Sequence, residues 1–547
     1  MGSHSAIAGT AWKGVDAVLF NILEEECIEV HTIDKKCVKL TLPGVFAALG
    51  KNSIEAFSNL RPHQRHPWHA FLCQLGAIAL TDGGKEIPPA DKNTPFSELP
   101  GVSTEGEWKE LLFALAPDND AWSLVVDDTN KPAFLQPPVP DGIGALTTTI
   151  RTPDELDVIV TSKNTDEKTR RITSFKTDHW LFALVSLQGQ AGYSKAGSKG
   201  NYYNSVRQYG AYATRPGVGI ITSSFWGDQW GRDCRLLIEL MDGEREIGWN
   251  FENGKRLLWL FPWDGTTSLP LEELHPYFIE TCRRLRLRVA DEESIHACVG
   301  SSTKARVSGG DYKGVVDDPW IPVNKKTGSA FNSSPTWENM AKIILDQKAF
   351  YRAPAQIPRA FDGAHVSVRF CILVRGQGST EEYHEIVVPV PPEKRNFLSS
   401  HDDTGGQVLN TMIDLADSAK SKVLYPAVTR LFQESFEQGK KSGRKKALPL
   451  ASVACQLMDH VISDHFFSFL WNALPNKGEG ENSARQYNSW IEFLRSTTEN
   501  IFQDILNRRL NSSEAEFLST ADAELFFFNA RNKHLPLIEI SSGGEQP

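Results

Sequence analysis

The sequence has no cysteine pair in CxxC spacing: its cysteines stand apart, at positions 27, 37, 73, 234, 282, 298, 371 and 455. That spacing excludes a zinc ribbon, and free thiols in a reducing cytoplasm are expected. No run approaches the roughly 20 uncharged apolar residues that span a bilayer, so no membrane partner is expected. The opening MGSHSAIAG has no basic region followed by an apolar run, and no secretory signal is read there. Positive charge is not in surplus either. A net charge of −10 argues against a chain that coats nucleic acid everywhere. It leaves room for local basic grooves, because the field is screened within about 10 Å. Catalytic signatures are also missing: there is no HExxH, GxSxG, GxxxxGK[ST] or dinucleotide-binding glycine fingerprint. No catalytic residue and no cofactor are expected.

One cluster could gather a metal. His63, His66 and His69 recur every three residues in RPHQRHPWHAF, and Cys73 follows on the same helical face. Pro67 interrupts the histidines and no carboxylate is near in sequence, so the reading is polar residues at a helix start with a buried thiol, and no metal. A soluble enzyme with a dispersed site around His63 to Cys73 stays as one alternative.

A chain of 547 residues exceeds one compact core and should divide into two or three domains. Cys27 to Leu42 reads as two short strands around a turn at Asp34 and Lys35, and Pro67 to Leu80 as a buried helix. Strand-like runs return at Gly219–Thr222, Leu257–Phe261, Arg284–Val289 and Val366–Val374. After the prolines of VVPVPPEK the strand signal ends. Helical spacing covers roughly Gln407–Gln438, where Pro426 kinks or breaks it, then Leu448–Leu474, Asn482–Leu510 and Ser513–Asn532. Ser513 and Glu516 form a capping box, and KKSGRKK (Lys440 to Lys446) reads as a connection. The fold class is α+β: a large irregular mixed α/β N-terminal domain, residues 1–395, then a C-terminal four-helix bundle, residues 396–547.

What the sequence does have is concentrated in the middle. From His179 to Gly227 there is no acidic residue, while Lys195, Lys199, Arg207 and Arg215 supply positive charge. Tyr193, Tyr202, Tyr203, Tyr209 and Tyr212 interleave with glycines in and after AGYSKAGSKGNYYNSVRQYG. Glycine lets a backbone approach a groove, cations meet phosphate, and tyrosines stack or pack on sugar. A surface loop whose tyrosines cover a core, or a scaffold's protein interface, is the alternative. Arg284, Arg286 and Arg288 alternate with apolar residues, giving a strand one cationic face that lines a channel or pairs internally.

The helix WLFALVSLQGQAGYSKAG (Trp180 to Gly197), the stretch NSVRQYGAYATRPGVGI, PYFIETCRRLRL (Pro276 to Leu287) and KPAFLQPP (Lys131 to Pro138) resemble the CasA-type large subunit of the type I-E Cascade complex of CRISPR immunity. The resemblance implies a subunit that inspects the PAM in duplex DNA, helps open it and recruits a separate helicase-nuclease, while guide pairing reads the rest. Its implied partners are crRNA, target double-stranded DNA, the other Cascade subunits and that nuclease.

Carried over, the family's glycine loop falls on Gly192, Tyr193, Ser194, Lys195, Ala196 and Gly197, with Lys199 following. The PAM-contacting lysine matches Lys304, with Arg306 and Lys313 as competitors. The wedge, a hairpin tip that parts the first base pair, matches Arg375, Gly376, Gln377 and Gly378, with Gln377 inserting. The loop toward the crRNA handle or the duplex matches Ser162, Lys163, Asn164 and Lys168. Lys195 stands where the family has small residues. The family's near-N-terminal WIPV element is not in its usual place, and a similar string stands at Trp320 to Val323.

Overall fold

The computed structural model describes residues 18–87, 99, 102–158, 175–190, 205–209, 214–241, 247–289, 294–360, 362–376, 379–432, 442–476, 485–509 and 514–537. Two large apolar cores organise them, one in the N-terminal half and one shared by a β-sheet and the C-terminal helices.

The first core forms around helix α2 (Arg65–Asp82). Before it come β1 (Val18–Asn21), β2 (Ile28–Thr32), β3 (Cys37–Leu40), α1 (Leu42–Gly50) and β4 (Ile54–Phe57). β2 sits between β3 and β4, and the β2–β3 turn places Lys35 at φ 63°, as the polar turn in the sequence requires. Thr41 caps α1, its Oγ accepting from the Gly44 N–H at 2.9 Å. α2 is buried from His66 to Leu80 without a polar face, because it is wrapped by neighbours instead of lying on the surface. Those neighbours include α3 (Glu105–Leu115), α4 (Thr177–Gln190) and α5 (Trp226–Met241). Between α3 and α5 the chain also forms β5 (Ser123–Val126), paired with β1, then β6 (Thr148–Ile150) and β7 (Gly217–Ile221).

Further strands in this half include β8 (Lys255–Leu257), β9 (Leu274–Ile279) and β10 (Arg284–Val289), which pairs with β11 (Ile295–Gly300). The run Leu257–Phe261, expected as strand, is instead a 3-10 turn over Leu258–Leu260. Leu258 and Trp259 are buried in different cores, a demand that a turn meets and a half-exposed strand does not.

The second core begins at α6 (Trp337–Leu345) and the long hairpin β12 (Val366–Gly376) and β13 (Ser379–Val390), whose sheet runs β13–β12–β7. Val366, Val368, Phe370, Ile372 and Val374 alternate onto one face, and that face packs with the helices that follow. These are α7 (Thr404–Ser418), α8 (Tyr425–Leu431), α9 (Ser442–Ala473), α10 (Arg485–Asn507) and α11 (Glu514–His534). The bundle therefore shares its core with the hairpin.

Pro426 acts a turn earlier than expected: the helix widens to π geometry over Ala419–Leu424, then resumes. A proline cannot donate to its fourth predecessor and its ring crowds that carbonyl, so the bonding pattern shifts ahead of it. KKSGRKK is not wholly a connection, because α9 starts at Ser442 within it. Ser513 of the expected capping box lies outside the described residues. The molecule is α+β with a C-terminal helical bundle. All eight cysteines are free.

Candidate nucleic-acid interface

His63 and His69 sit in two separate buried networks, and His66 belongs to neither. His63 Nε2 lies 2.9 Å from Asp157 Oδ2, which also accepts from Gln64 Nε2 at 2.6 Å. Ser186 Oγ donates to the other oxygen at 3.1 Å. Burial alone would push the Asp157 carboxyl up; the charge of His63 and these hydrogen bonds prevail and hold it below its ordinary value. His69 Nε2 meets Asp233 Oδ2 at 2.8 Å, and Trp320 Nε1 donates to the same oxygen at 3.0 Å. Arg232 binds the other oxygen at 2.8 Å and reaches Asp362 at 3.0 Å. Carboxylates absent from the local sequence thus arrive from α5 and the chain before α4. Among the described residues, no three metal-ligating side chains converge.

His66 has no such partner: its Nε2 is buried with no hydrogen bond. Its ring stacks edgewise on Trp320 at 5.8 Å, and a Cβ on Gly217 would meet it at 2.4 Å. Burial, then the charges of Arg215 and Arg369, push the imidazole well below its ordinary value. A lowered folded-state value means stability that is complete above about pH 6.5 and lost as pH falls below it. Each pH unit below that point should cost about 1.4 kcal/mol at this residue. Melting of wild type and His66→Gln between pH 7 and pH 5 checks this: the variant should show the shallower slope, and equal slopes would refute it.

The basic tyrosine segment is anchored at its exit by buried carboxylates. Ser205 Oγ donates to Glu280 at 2.6 Å, and the Val206 N–H to the same carboxylate at 2.8 Å. Arg207 lies 3.3 Å from Asp318 and over the Phe278 ring at 4.1 Å, and Arg215 reaches Asp318 at 2.5 Å. Burial, and secondarily Arg215, lowers the Arg207 guanidinium to about 10, so it stays charged at neutral pH. Arg207 and Arg215 are therefore internal braces and supply no surface charge, a correction to the reading from the sequence.

The same holds for the strand arginines. Arg284 pairs with Asp141 at 2.5 Å, Arg286 grips the carbonyls of Asp128, Thr129, Lys131 and Gln136, and Arg288 pairs with Asp127 at 3.4 Å. They clasp the stretch around KPAFLQPP, Arg284 and Arg286 from buried positions and Arg288 with its side chain 31% exposed. The buried glutamines of α4 are braces too, Gln188 bonding the carbonyls of Leu135 and Arg283.

Gly192, Tyr193, Ser194, Lys195, Ala196, Gly197 and Lys199 lie outside the described residues, as do Ser162, Lys163, Asn164, Lys168, Gln377 and Gly378. The roots of their segments are described, and they converge. Val158, before the 159–174 segment, forms a small buried cluster with Cys282 and with Leu373 of β12, and Leu187 near the end of α4 packs on it. The Thr214 N–H donates to the Leu373 carbonyl at 3.0 Å, tying the far end of the tyrosine segment to the hairpin. Gly376 pairs with Ser379, so the strands of the hairpin run paired up to Arg375 and Gly376.

Val206 packs against Gly309 beside the stretch that holds Lys304. Lys304 is exposed. Arg306 is turned inward, 3% exposed, and its guanidinium binds the carbonyls of Leu258 at 3.1 Å, Phe261 at 2.7 Å and Pro262 at 3.1 Å. Burial lowers it to about 10. Arg306 is thus a brace that leaves no cation for a groove. Lys313 has φ 51° and spends its Nζ on the Thr327 carbonyl at 3.1 Å.

No family model and no curated protein sequence matches the chain. Solved structures do. The CasA of Thermus thermophilus superposes with a TM-score of 0.64 at 13% identity, covering 94% of this chain and 99% of that one. The Cse1 of Acidimicrobium ferrooxidans gives 0.60 at 14%, covering 94% and 98%. This chain has the CasA/Cse1 fold. A chain in a structure titled a CRISPR RNA-guided surveillance complex matches as well, with a TM-score of 0.58 at 12% identity, covering 93% and 99%.

Against that fold, the Trp320–Val323 string is part of the core: Trp320 is buried on Asp233 and His69. Its neighbour Asp318 was missed from sequence, although DDPW, two acids before a proline and a tryptophan, was the available signal. No described helix is long and apolar enough to cross a membrane.

Proposed function

We propose that this chain is the large subunit of a crRNA-guided CRISPR surveillance complex, without turnover of its own. In this reading it recognises the PAM in duplex DNA, begins strand opening and recruits a separate nuclease. The observation that carries the reading is the CasA/Cse1 fold over 94% of the chain. The convergence at Val158, Leu187 and Leu373 supports it, because it roots three loop candidates on one small apolar cluster.

In this reading Gly192 to Gly197 enter the minor groove, where close approach favours small residues and readout is degenerate. Lys304 meets the duplex, and the hairpin brings Gln377 to the first base pair. Ser162 to Lys168 reach the crRNA handle or the duplex. With a net charge of −10, contact is confined to this patch.

Reconstitution with the remaining subunits and crRNA tests the reading. The chain should enter the complex, and only the complex containing it should hold PAM-bearing duplex, with affinity falling as salt rises. Equal PAM-dependent binding without the chain would refute it.

A further inference from the structure

A cleft of about 270 Å³ opens between β4, the first turn of α2, the turn into α5 and the outer face of the β12–β13 hairpin. Its polar lining carries two unmet demands. Arg369 is the single charge in the apolar strand VSVRFCILV and points to the face opposite the bundle core. It makes no hydrogen bond or ion pair with a described residue. The acids whose charge reaches it are Glu385 and Asp233, and both are engaged elsewhere. Glu385 lies 3.5 Å from Arg65 and accepts from the Tyr383 hydroxyl at 3.4 Å, and Asp233 is held by His69, Trp320 and Arg232. Glu55, which also lines the cleft, pairs with Lys35.

The second demand is on Gln229, which is 6% exposed. Its Nε2 donates to the Ile220 carbonyl at 2.9 Å and to Asp233 Oδ2 at 3.2 Å. Both partners can only accept, so the amide cannot be flipped. That leaves Oε1 buried, with no donor, on a residue that lines the cleft. At the mouth stands Phe225, whose ring is 41% exposed, beside the hydroxyls of Ser223 and Ser224.

A guanidinium wanting an anion, a carbonyl wanting a donor and a bare aromatic face together describe one nucleotide. The geometry points to this cleft as a binding site for a single nucleotide unit: phosphate against Arg369, an N–H of the base to Gln229 Oε1, and the base on Phe225. Neither the fold likeness nor the PAM reading enters this assignment. The unit is supplied by a free mononucleotide or by a residue of a single strand, and the experiment separates the two.

The full chain alone, without crRNA or other subunits, is titrated at low salt with a fluorescent single-stranded deoxyadenosine 12-mer. AMP and inorganic phosphate serve as competitors. Phe225→Ala and Arg369→Gln should each weaken binding about tenfold, the scale of one lost stacking or charge contact. AMP that displaces the 12-mer supports the site with a free nucleotide as its source. Displacement only by unlabelled 12-mer supports it with a strand as its source. Binding indifferent to Phe225→Ala, or displaced as well by phosphate as by AMP, overturns it. If Arg369→Gln fails to fold, the exposed Phe225→Ala still decides the matter. A negative result here leaves the reconstitution test untouched.

Discussion

Asp318→Asn should lower the unfolding free energy by about 3–5 kcal/mol, the scale of a buried charge left without its partner. The substitution keeps the shape and removes only the charge. Two buried guanidinium groups depend on that carboxylate, Arg207 at 3.3 Å and Arg215 at 2.5 Å. Glu280 is 3.6 Å from Arg207 and cannot serve both, since it already accepts from Ser205 and the Val206 N–H. Denaturant unfolding measures the loss. Hydrogen exchange places it, with protection falling first at Ser205 to Tyr209 and at Thr214, the exit of the tyrosine segment.

The comparison that gives the number meaning is Asp504→Asn. Asp504 pairs with Arg508 at 2.8 Å, with both side chains more than half exposed. Water replaces the lost partner there, and the cost should stay near 1 kcal/mol or below. Equal losses at the two positions would show that burial does not set the energetics of this arginine framework.

That framework marks where sequence reading reached and where it stopped. The helices and the hairpin were legible because apolar period survives any tertiary arrangement: Val366 to Val374 alternates on the page as it does in the sheet. The fate of the arginines was not. RRLRLRV has the same pattern whether Arg286 faces a channel or four carbonyls of a loop about 150 residues away in the chain. The partners decide, and they are distant in sequence. The histidines follow the same logic, since Asp157 and Asp233 lie far from His63 and His69 along the chain. The absence of acids from His179 to Gly227 read as a cationic surface, yet two of its four cations are neutralised by Glu280 and Asp318 from other segments. Charge counted along a chain is not charge presented to a ligand.

With Arg207, Arg215 and Arg306 internal, the proposed PAM-side cations reduce to Lys195, Lys199 and Lys304, and the opening step to Gln377. In the assembled complex, Gln377→Ala should slow strand opening by about tenfold or more, since unstacking one base step costs a few kcal/mol and the side chain offsets part of it. PAM preference should hold in that variant, because the wedge acts after recognition. Lys195→Ala should do the reverse, altering selection from a randomised PAM library if the lysine lies in the groove. Lys304→Ala should weaken binding across PAM sequences and reduce the salt slope by about one if its contact is phosphate. Lys313→Ala is the control: its Nζ is held by Thr327, so duplex binding should not change. The three responses differ in kind, one kinetic, one in sequence preference and one in salt dependence. A Gln377→Ala complex that opens duplex at the wild-type rate would remove the wedge from the proposal and leave recognition standing. Indifference at all three positions, with no PAM dependence in the wild type, would leave the likeness to CasA as one of fold alone.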